Sequence, residues 1–427
     1  MKNIVLLILC AVFMSGFFSA PDTAKAEMLY NIDDMLLPIW EGNVAQSESV
    51  LIVEEADGTV LPVRLLYDIE SVLSVKNSAL TKTYEYGKDY LIDQGRLAII
   101  KTGAIPRLTY EQFHPQSGRP GFENKNGGYI LWEEGAYFHS LQIVVTYTHN
   151  GAYPGKVPES KGNLLPRTAS LLKSKSPVTI VIYGDSLCEG GNSSGNPMIN
   201  VSPHLPIFPD MVLSRLKCTY GYKDITLINR AVGGTDSAWG VANIREKFSG
   251  KAADLVILGF GTNDIATAPE TYASNISKLI SGISRLSPDA EYILLSPLYC
   301  NENAVNFFGN QVNFIDGLYQ AEKKGVAFAD IMQVHKDLLA EKNYADMTGN
   351  NINHINDYLA RVYAQVILKT MSDGNYKTAS DNIDNSGSKS DSENLAGCSG
   401  NTSAWTAGCA AALLLLLSLR KKQEKSK

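Results

Sequence analysis

Cysteine is scarce, with six in 427 residues, and none of them shows a C-x-x-C or zinc-ligand spacing. A chain of this size needs no disulfide staples, and the pairing of Cys188, Cys218, Cys300 and Cys398 stays open. Histidine is as rare, at six, so each one can be weighed singly. A net charge of −6 leaves no basic domain to hold nucleic acid. With 44% hydrophobic and 19% charged residues, global disorder and a polytopic membrane protein are both excluded. The length implies two or three domains.

The charge is uneven. The first 26 residues contribute +1 and the last eight +4, so the body between them carries −11. Lys2 precedes an apolar run over residues 4–18, and Ala24-Lys25-Ala26 has the small-x-small pattern of a signal-peptidase site, so residues 1–26 read as a signal peptide cleaved after Ala26. A lipoprotein reading through Cys10 is weakened by Leu9, where a small residue is wanted. Near the other end, residues 404–419 are apolar and lead into the basic tail 420–427. As a helix the apolar stretch spans about 24 Å, short for a hydrocarbon core of roughly 30 Å. With Trp405 at the interface and the basic cluster on the cytoplasmic side, it is expected to tether the exported body to the membrane. The stretch Gly397-Cys398-Ser399-Gly400 before it resembles bacterial sorting tails, which are open to processing. Residues 372–403 are rich in Ser, Asn, Asp and Gly, and read as a flexible stalk.

Within the body, residues 27–150 show period-2 patterning and turns. Residues 49–55 and 60–67 flank Asp57-Gly58, residues 80–93 and 96–101 flank Gln94-Gly95, and residues 129–133 and 140–149 follow. This predicts an all-β sandwich or jelly-roll-like domain. Tyr84, Tyr86, Tyr90, Tyr129, Trp132 and Tyr137 either fill its core and edges, the plainer reading, or stack on sugars. Residues 151–177, rich in Gly and Pro, form an interdomain linker with a short helix near 168–173.

From residue 178 to 371 the pattern alternates. Apolar runs at 178–183, 225–232, 255–260, 291–296 and 326–329 are separated by helical stretches at 209–217, 238–248, 271–286 and 311–324, and 357–371 closes the series. Such alternation predicts an α/β domain, three layers deep, with a parallel sheet covered on both faces. Chemistry in these sheets sits at the carboxyl ends of the strands. Those ends carry Gly184-Asp185-Ser186-Leu187, Ala231-Val232-Gly233-Gly234 and Gly261-Thr262-Asn263-Asp264, and the last helix follows Asn350-Asn351-Ile352-Asn353-His354.

Ser, Gly, Asn and His in this order resemble the SGNH hydrolase superfamily, the GDSL esterases, over about residues 178–368. The resemblance implies a flavodoxin-like sheet of order 2-1-3-4-5 and serine acyl transfer without metal or cofactor. It implies Ser186 as nucleophile, His354 as its base, and an oxyanion hole from the Ser186 and Gly233 N–H groups and the Asn263 amide. The residue types make chemical sense: a serine hydroxyl needs a positioned imidazole to take its proton, and the oxyanion needs donors fixed in advance. Gly233 permits close backbone approach to a substrate.

The family pattern before the histidine is Asp-x-x-His, and here that position holds Asn351. As a third catalytic member Asn351 could orient His354 through its amide oxygen. A backbone carbonyl, Asp346 or Asp357 could replace it, though Asp357 reads better as a helix start. Ile355 stands where the family commonly has proline. Asp264 reads as a turn cap rather than a chemical group. Trp239 reads equally as a lining of the substrate mouth or as a buried aromatic at a helix start. His114, His139, His149 and His335 read as structural, and so does His204, with the weak exception that it lies in the long loop after the nucleophile. Gly191-Asn192-Ser193-Ser194-Gly195 matches G-x-S-x-G but lacks the preceding strand that a nucleophile elbow needs.

The expected function is an exported serine esterase acting on acyl, especially O-acetyl, esters of an envelope or dietary carbohydrate. Its partners would be an acylated carbohydrate or other small ester, with no nucleic acid, and the membrane through the C-terminal segment. A lipase or thioesterase, and an inactive glycan-binding envelope protein, are the alternatives.

Overall fold

Seven short strands make up the N-terminal part among the described residues: β1 (Val44–Leu51), β2 (Ser71–Asn77), β3 (Tyr90–Asp93), β4 (Arg96–Ile99), β5 (Gly121–Glu123), β6 (Tyr129–Leu131) and β7 (Gln142–Thr148). The computed structural model describes residues 29–116, 121–250 and 252–373. The signal segment, nearly all of the stalk, the apolar stretch 404–419 and the basic tail lie outside these residues, as do Cys10, Cys398 and Cys409. Among the described residues no helix is long and apolar enough to cross a membrane, and Cys188 and Cys300 are buried free thiols.

All strand pairs in this part are antiparallel, in keeping with the period-2 pattern: β1-β7-β2 form one sheet, and β3-β4 and β5-β6 form two ribbons. Gln94 and Gly95 both take positive φ, 48° and 77°, which suits the tight turn between β3 and β4. The expected hairpin across Asp57-Gly58 is not formed. The turn closes through Glu55 N–H to Thr59 O (2.8 Å), but residues 60–67 then leave β1, and Val63 bridges to Leu97 instead. Pro62 offers no N–H to a ladder there. β2 escapes the sequence pattern because its register shifts between Val72 and Ser74, leaving Leu73 57% exposed.

The second part holds five parallel strands, β8 (Val178–Gly184), β9 (Ile225–Asn229), β10 (Leu255–Gly259), β11 (Glu291–Leu295) and β12 (Val326–Ala329). Their order across the sheet is β12-β11-β10-β8-β9, the doubly wound 2-1-3-4-5 arrangement of a flavodoxin-like fold. The strands are mostly apolar because both faces are covered, and the edge strand β9 departs furthest, with Thr226 and Asn229 exposed. Val181, Tyr183, Val256, Leu258, Tyr292 and Leu294 pack on one side with helices Ser237–Phe248 and Pro269–Ser284. The alternate residues Ile180, Ile182, Leu255, Ile257, Ile293 and Leu295 face helices Phe208–Tyr220 and Asp357–Met371.

Helix Asp357–Met371 joins the two parts. Its residues 358–368 are all buried, as expected for a helix covered on every side. Arg361 donates to Ser47 O (2.7 Å) and Gln46 O (3.0 Å), and Gln365 donates to Leu37 O (2.7 Å). One apolar core therefore runs from Val50, Val75 and Tyr147 of the N-terminal sheet through this helix to the parallel sheet.

Candidate functional site

β8 ends in Gly184-Asp185-Ser186. A Cβ on Gly184 would lie 2.5 Å from Gly259 O on β10 and 2.6 Å from Cys188 Sγ, so only glycine lets the strands meet where the chain turns out to Ser186. At this edge Ser186 Oγ lies 3.0 Å from His354 Nε2. The two residues are 168 positions apart.

Asn350, fully buried, shapes the loop that carries the histidine. Its Oδ1 accepts the N–H groups of Ile352 (3.0 Å), Asn353 (3.0 Å) and His354 (2.9 Å). On the far side of the ring, Nδ1 is 2.7 Å from Asn192 Oδ1 and 3.3 Å from Glu134 Oε2. The Asn192 amide is fixed in orientation, since its Nδ2 donates to Gly135 O (3.1 Å) and Gly349 O (3.2 Å). Its oxygen can only accept, so Nδ1 carries the hydrogen and Nε2 presents a lone pair to the Ser186 hydroxyl. Burial works against the charge of Glu134. The His354 ring and the Asn350 amide, which donates to Oε1 at 2.8 Å, outweigh it and hold the carboxyl below its ordinary range.

The expected oxyanion donors lie at the neighbouring strand ends. Gly233 is exposed, and a Cβ there would sit 3.5 Å from Ser186 Cβ and 2.8 Å from Glu189 Oε2. Burial raises the Glu189 carboxyl, opposed by the Gly233 N–H that it accepts. Asn263 Nδ2 donates one hydrogen to Thr235 O (2.9 Å), which anchors the amide and leaves its second hydrogen for a ligand. Asp264 does more than cap a turn: it accepts from both N–H (2.9 Å) and Oγ (2.6 Å) of Ser237, tying the two donor loops together. Asp185 is fully buried, which pushes its carboxyl up to about 7 although Leu187 N–H donates to it.

Asn351 corrects the sequence reading. Its φ is 63°, and its amide donates to Leu131 O on β6 (3.1 Å), away from the ring that it was expected to orient. The left-handed turn is open to asparagine and reverses the direction that a three-residue spacing suggests. Asp346 accepts from Leu51 N–H and Asp357 from Ser194 N–H, each at the start of a different contact. Asn192 and Glu134 hold the place by Nδ1 instead. Neither has a sequence signal: Asn192 lies in the Gly-, Ser- and Asn-rich loop, and Glu134 follows another glutamate on the N-terminal part. In the G-x-S-x-G match, Ser193 is buried and donates to Gly190 O (2.6 Å). His335 is buried with both ring nitrogens unpartnered, and burial pushes it down to about 3. His139 contacts Ser202 O, and His149 stacks on Tyr67. Trp239 is half-buried against Tyr183, with Lys247 over its ring. Of the aromatics weighed for sugars, Tyr84 and Tyr90 are buried, whereas Tyr86 is 66% exposed.

Residues 182–362 match the model described as the GDSL-like Lipase/Acylhydrolase family. No curated protein matches the chain. Among solved structures, a two-domain esterase active on acetylated mannans is similar at 20% identity with a TM-score of 0.41, covering 51% of this chain and 54% of that one. This chain thus spans about half the length of that esterase. An alpha/beta hydrolase enzyme from the metagenome of Lake Arreo, Spain, is similar at 18% identity and TM-score 0.38, covering 46% of this chain and 96% of that one. A variant of an acetyl xylan esterase from Geobacillus stearothermophilus is similar at 16% identity and TM-score 0.38, covering 45% and 94%.

Proposed function

We propose, from the premise that residues 182–362 are a GDSL-like lipase/acylhydrolase domain, that this chain is a serine esterase cleaving short acyl esters, O-acetyl groups of carbohydrate above all. The observation that carries the reading is the 3.0 Å approach of Ser186 Oγ to His354 Nε2, with Nδ1 of the same ring held by an acceptor. Ser186 attacks the ester carbonyl as its proton passes to His354 Nε2. The oxyanion is met by the Ser186 N–H, the free Asn263 hydrogen and the Gly233 N–H, which must leave the Glu189 carboxylate to receive it. His354 returns the proton to the departing alcohol. Water, deprotonated by the same nitrogen, then attacks the acyl-serine, releasing the acid and restoring Ser186.

Polar surroundings, with Glu134 and Glu189 reaching solvent and Asn192 and Asn350 buried beneath, support a polar alcohol and a short acyl group over a lipid. Glu134, Glu189, Asn192 and Asn350 surround the Ser–His pair. The signal-like first 26 residues and the apolar, basic finish of the sequence support export and C-terminal tethering at the cell envelope. The test is hydrolysis of p-nitrophenyl acetate, butyrate and longer esters by the full chain and by Ser186→Ala, followed by acetate release from acetylated polysaccharides. Serine-dependent turnover that falls with acyl length is expected. Absence of turnover in the parent chain would leave a glycan-binding role in its place.

A further inference from the structure

In the proposed reaction the imidazole becomes an imidazolium while Ser186 is attacking, and something must compensate that charge. The side chain closest to Nδ1 cannot. Asn192 is neutral, and its fixed amide orients the ring and sets the tautomer without supplying a negative charge. The position where the family carries its aspartate holds Asn351, whose side chain is committed to Leu131 O. A carboxylate is nevertheless present. Glu134, on the loop after β6, places Oε2 3.3 Å from Nδ1, and its other oxygen accepts from Asn350 Nδ2 at 2.8 Å.

We propose that Glu134, carried by the N-terminal β part, is the positioning residue that stabilises the His354 imidazolium, with the orienting and charge-compensating roles divided between Asn192 and Glu134. This rests on the esterase reading of the same site. The proton of Ser186 moves to Nε2, the Nδ1 hydrogen stays donated to Asn192 Oδ1 within reach of Glu134, and the carboxylate keeps its charge throughout. Its loop is held by the same contacts. Gly135 supplies the carbonyl that fixes Asn192, and Asn350 grips both Glu134 and the N–H of His354. The N-terminal part thus completes the site rather than adjoining it.

Two other carboxyls act on His354 through space, Asp185 and Glu189, both in the segment around Ser186. They are present in parent and variant alike, so a change at residue 134 isolates its own effect. The experiment is the pH dependence of kcat/KM for p-nitrophenyl acetate in the full chain, in Glu134→Gln and in Glu134→Ala. Thermal unfolding serves as the check on folding.

A carboxylate beside the ring favours imidazolium and so raises the pH below which the base is lost. Removing the charge should move the acid limb to lower pH. It should also lower kcat by about 10- to 100-fold, less than the loss seen where a triad variant also takes the wrong tautomer. Because Glu134 is 44% exposed, high salt should shift the parent's limb toward that of the variants. An active parent with the same limb in both variants would overturn the role of Glu134 while leaving ester hydrolysis standing. An inactive parent would overturn both readings.

Discussion

Lys342 and Glu48, 294 residues apart, meet with Nζ and Oε1 2.6 Å from each other and with side chains 0% and 1% exposed. The pair is fully bonded: Leu66 N–H and Tyr147 O–H donate to the carboxylate, and Lys342 also donates to Ser49 O. Removing one partner strands a buried charge, so Glu48→Ala is expected to destabilise the chain by about 3–5 kcal/mol. The double variant Glu48→Leu with Lys342→Met should recover much of that loss. Urea unfolding midpoints measure both, and a single variant as stable as the parent would count against the network.

Asn351 provides a direct contrast with the family pattern. Asn351→Asp restores the Asp-x-x-His spelling but sets a carboxylate against Leu131 O, where an amide hydrogen now sits. The expected outcome is no gain in kcat and a stability loss of about 1–3 kcal/mol, as for a buried hydrogen bond turned into a repulsion. A large rise in kcat would show that residue 351 reaches the ring during turnover.

Asn263→Ala should lower kcat for p-nitrophenyl acetate by about 10²- to 10³-fold, the typical loss of one oxyanion donor. Its Tm should fall little, because the Asp264–Ser237 contacts that join the two loops remain. Full activity in this variant would remove Asn263 from the oxyanion hole.

Asp185 makes a prediction about pH. Burial lifts its folded pKa to about 7, above that of an unfolded carboxyl, so its contribution to stability is complete at about pH 4 and is lost as pH rises toward 7. Asp185→Asn removes the titration, and a one-unit gap between the folded and unfolded pKa corresponds to about 1.4 kcal/mol. The Tm of the variant relative to the parent should therefore climb between about pH 4 and pH 8. A constant difference over that range would argue against the raised carboxyl.

The parallel sheet was legible in the sequence because its central strands are nearly continuous apolar runs, as in Val178–Gly184 and Leu255–Gly259. Ser186, Gly233 and Asn263 were legible for a related reason: each lies a few residues past the end of a strand of this sheet, where the fold directs its loops. The N-terminal part was harder. Its strands are three to eight residues long, and Pro62 and the shift at Val72/Ser74 break the alternation that would reveal them. The surroundings of Nδ1 were not legible at all. Asn192 meets His354 across 162 positions, and Glu134 arrives from another sheet, so no local spacing encodes either contact. Asn351 misled because spacing along a chain says nothing about a backbone with φ of 63°.

The closing helix Asp357–Met371, covered on every side, limits how the molecule can be divided. The family match stops at residue 362, midway along it. A fragment trimmed to that match would lose more than half of the helix, and one beginning at residue 178 would bare the side bearing Arg361 and Gln365 to water. Anyone transplanting the parallel-sheet half into a chimera should therefore move both β layers with it, because that half has no finished outer skin of its own.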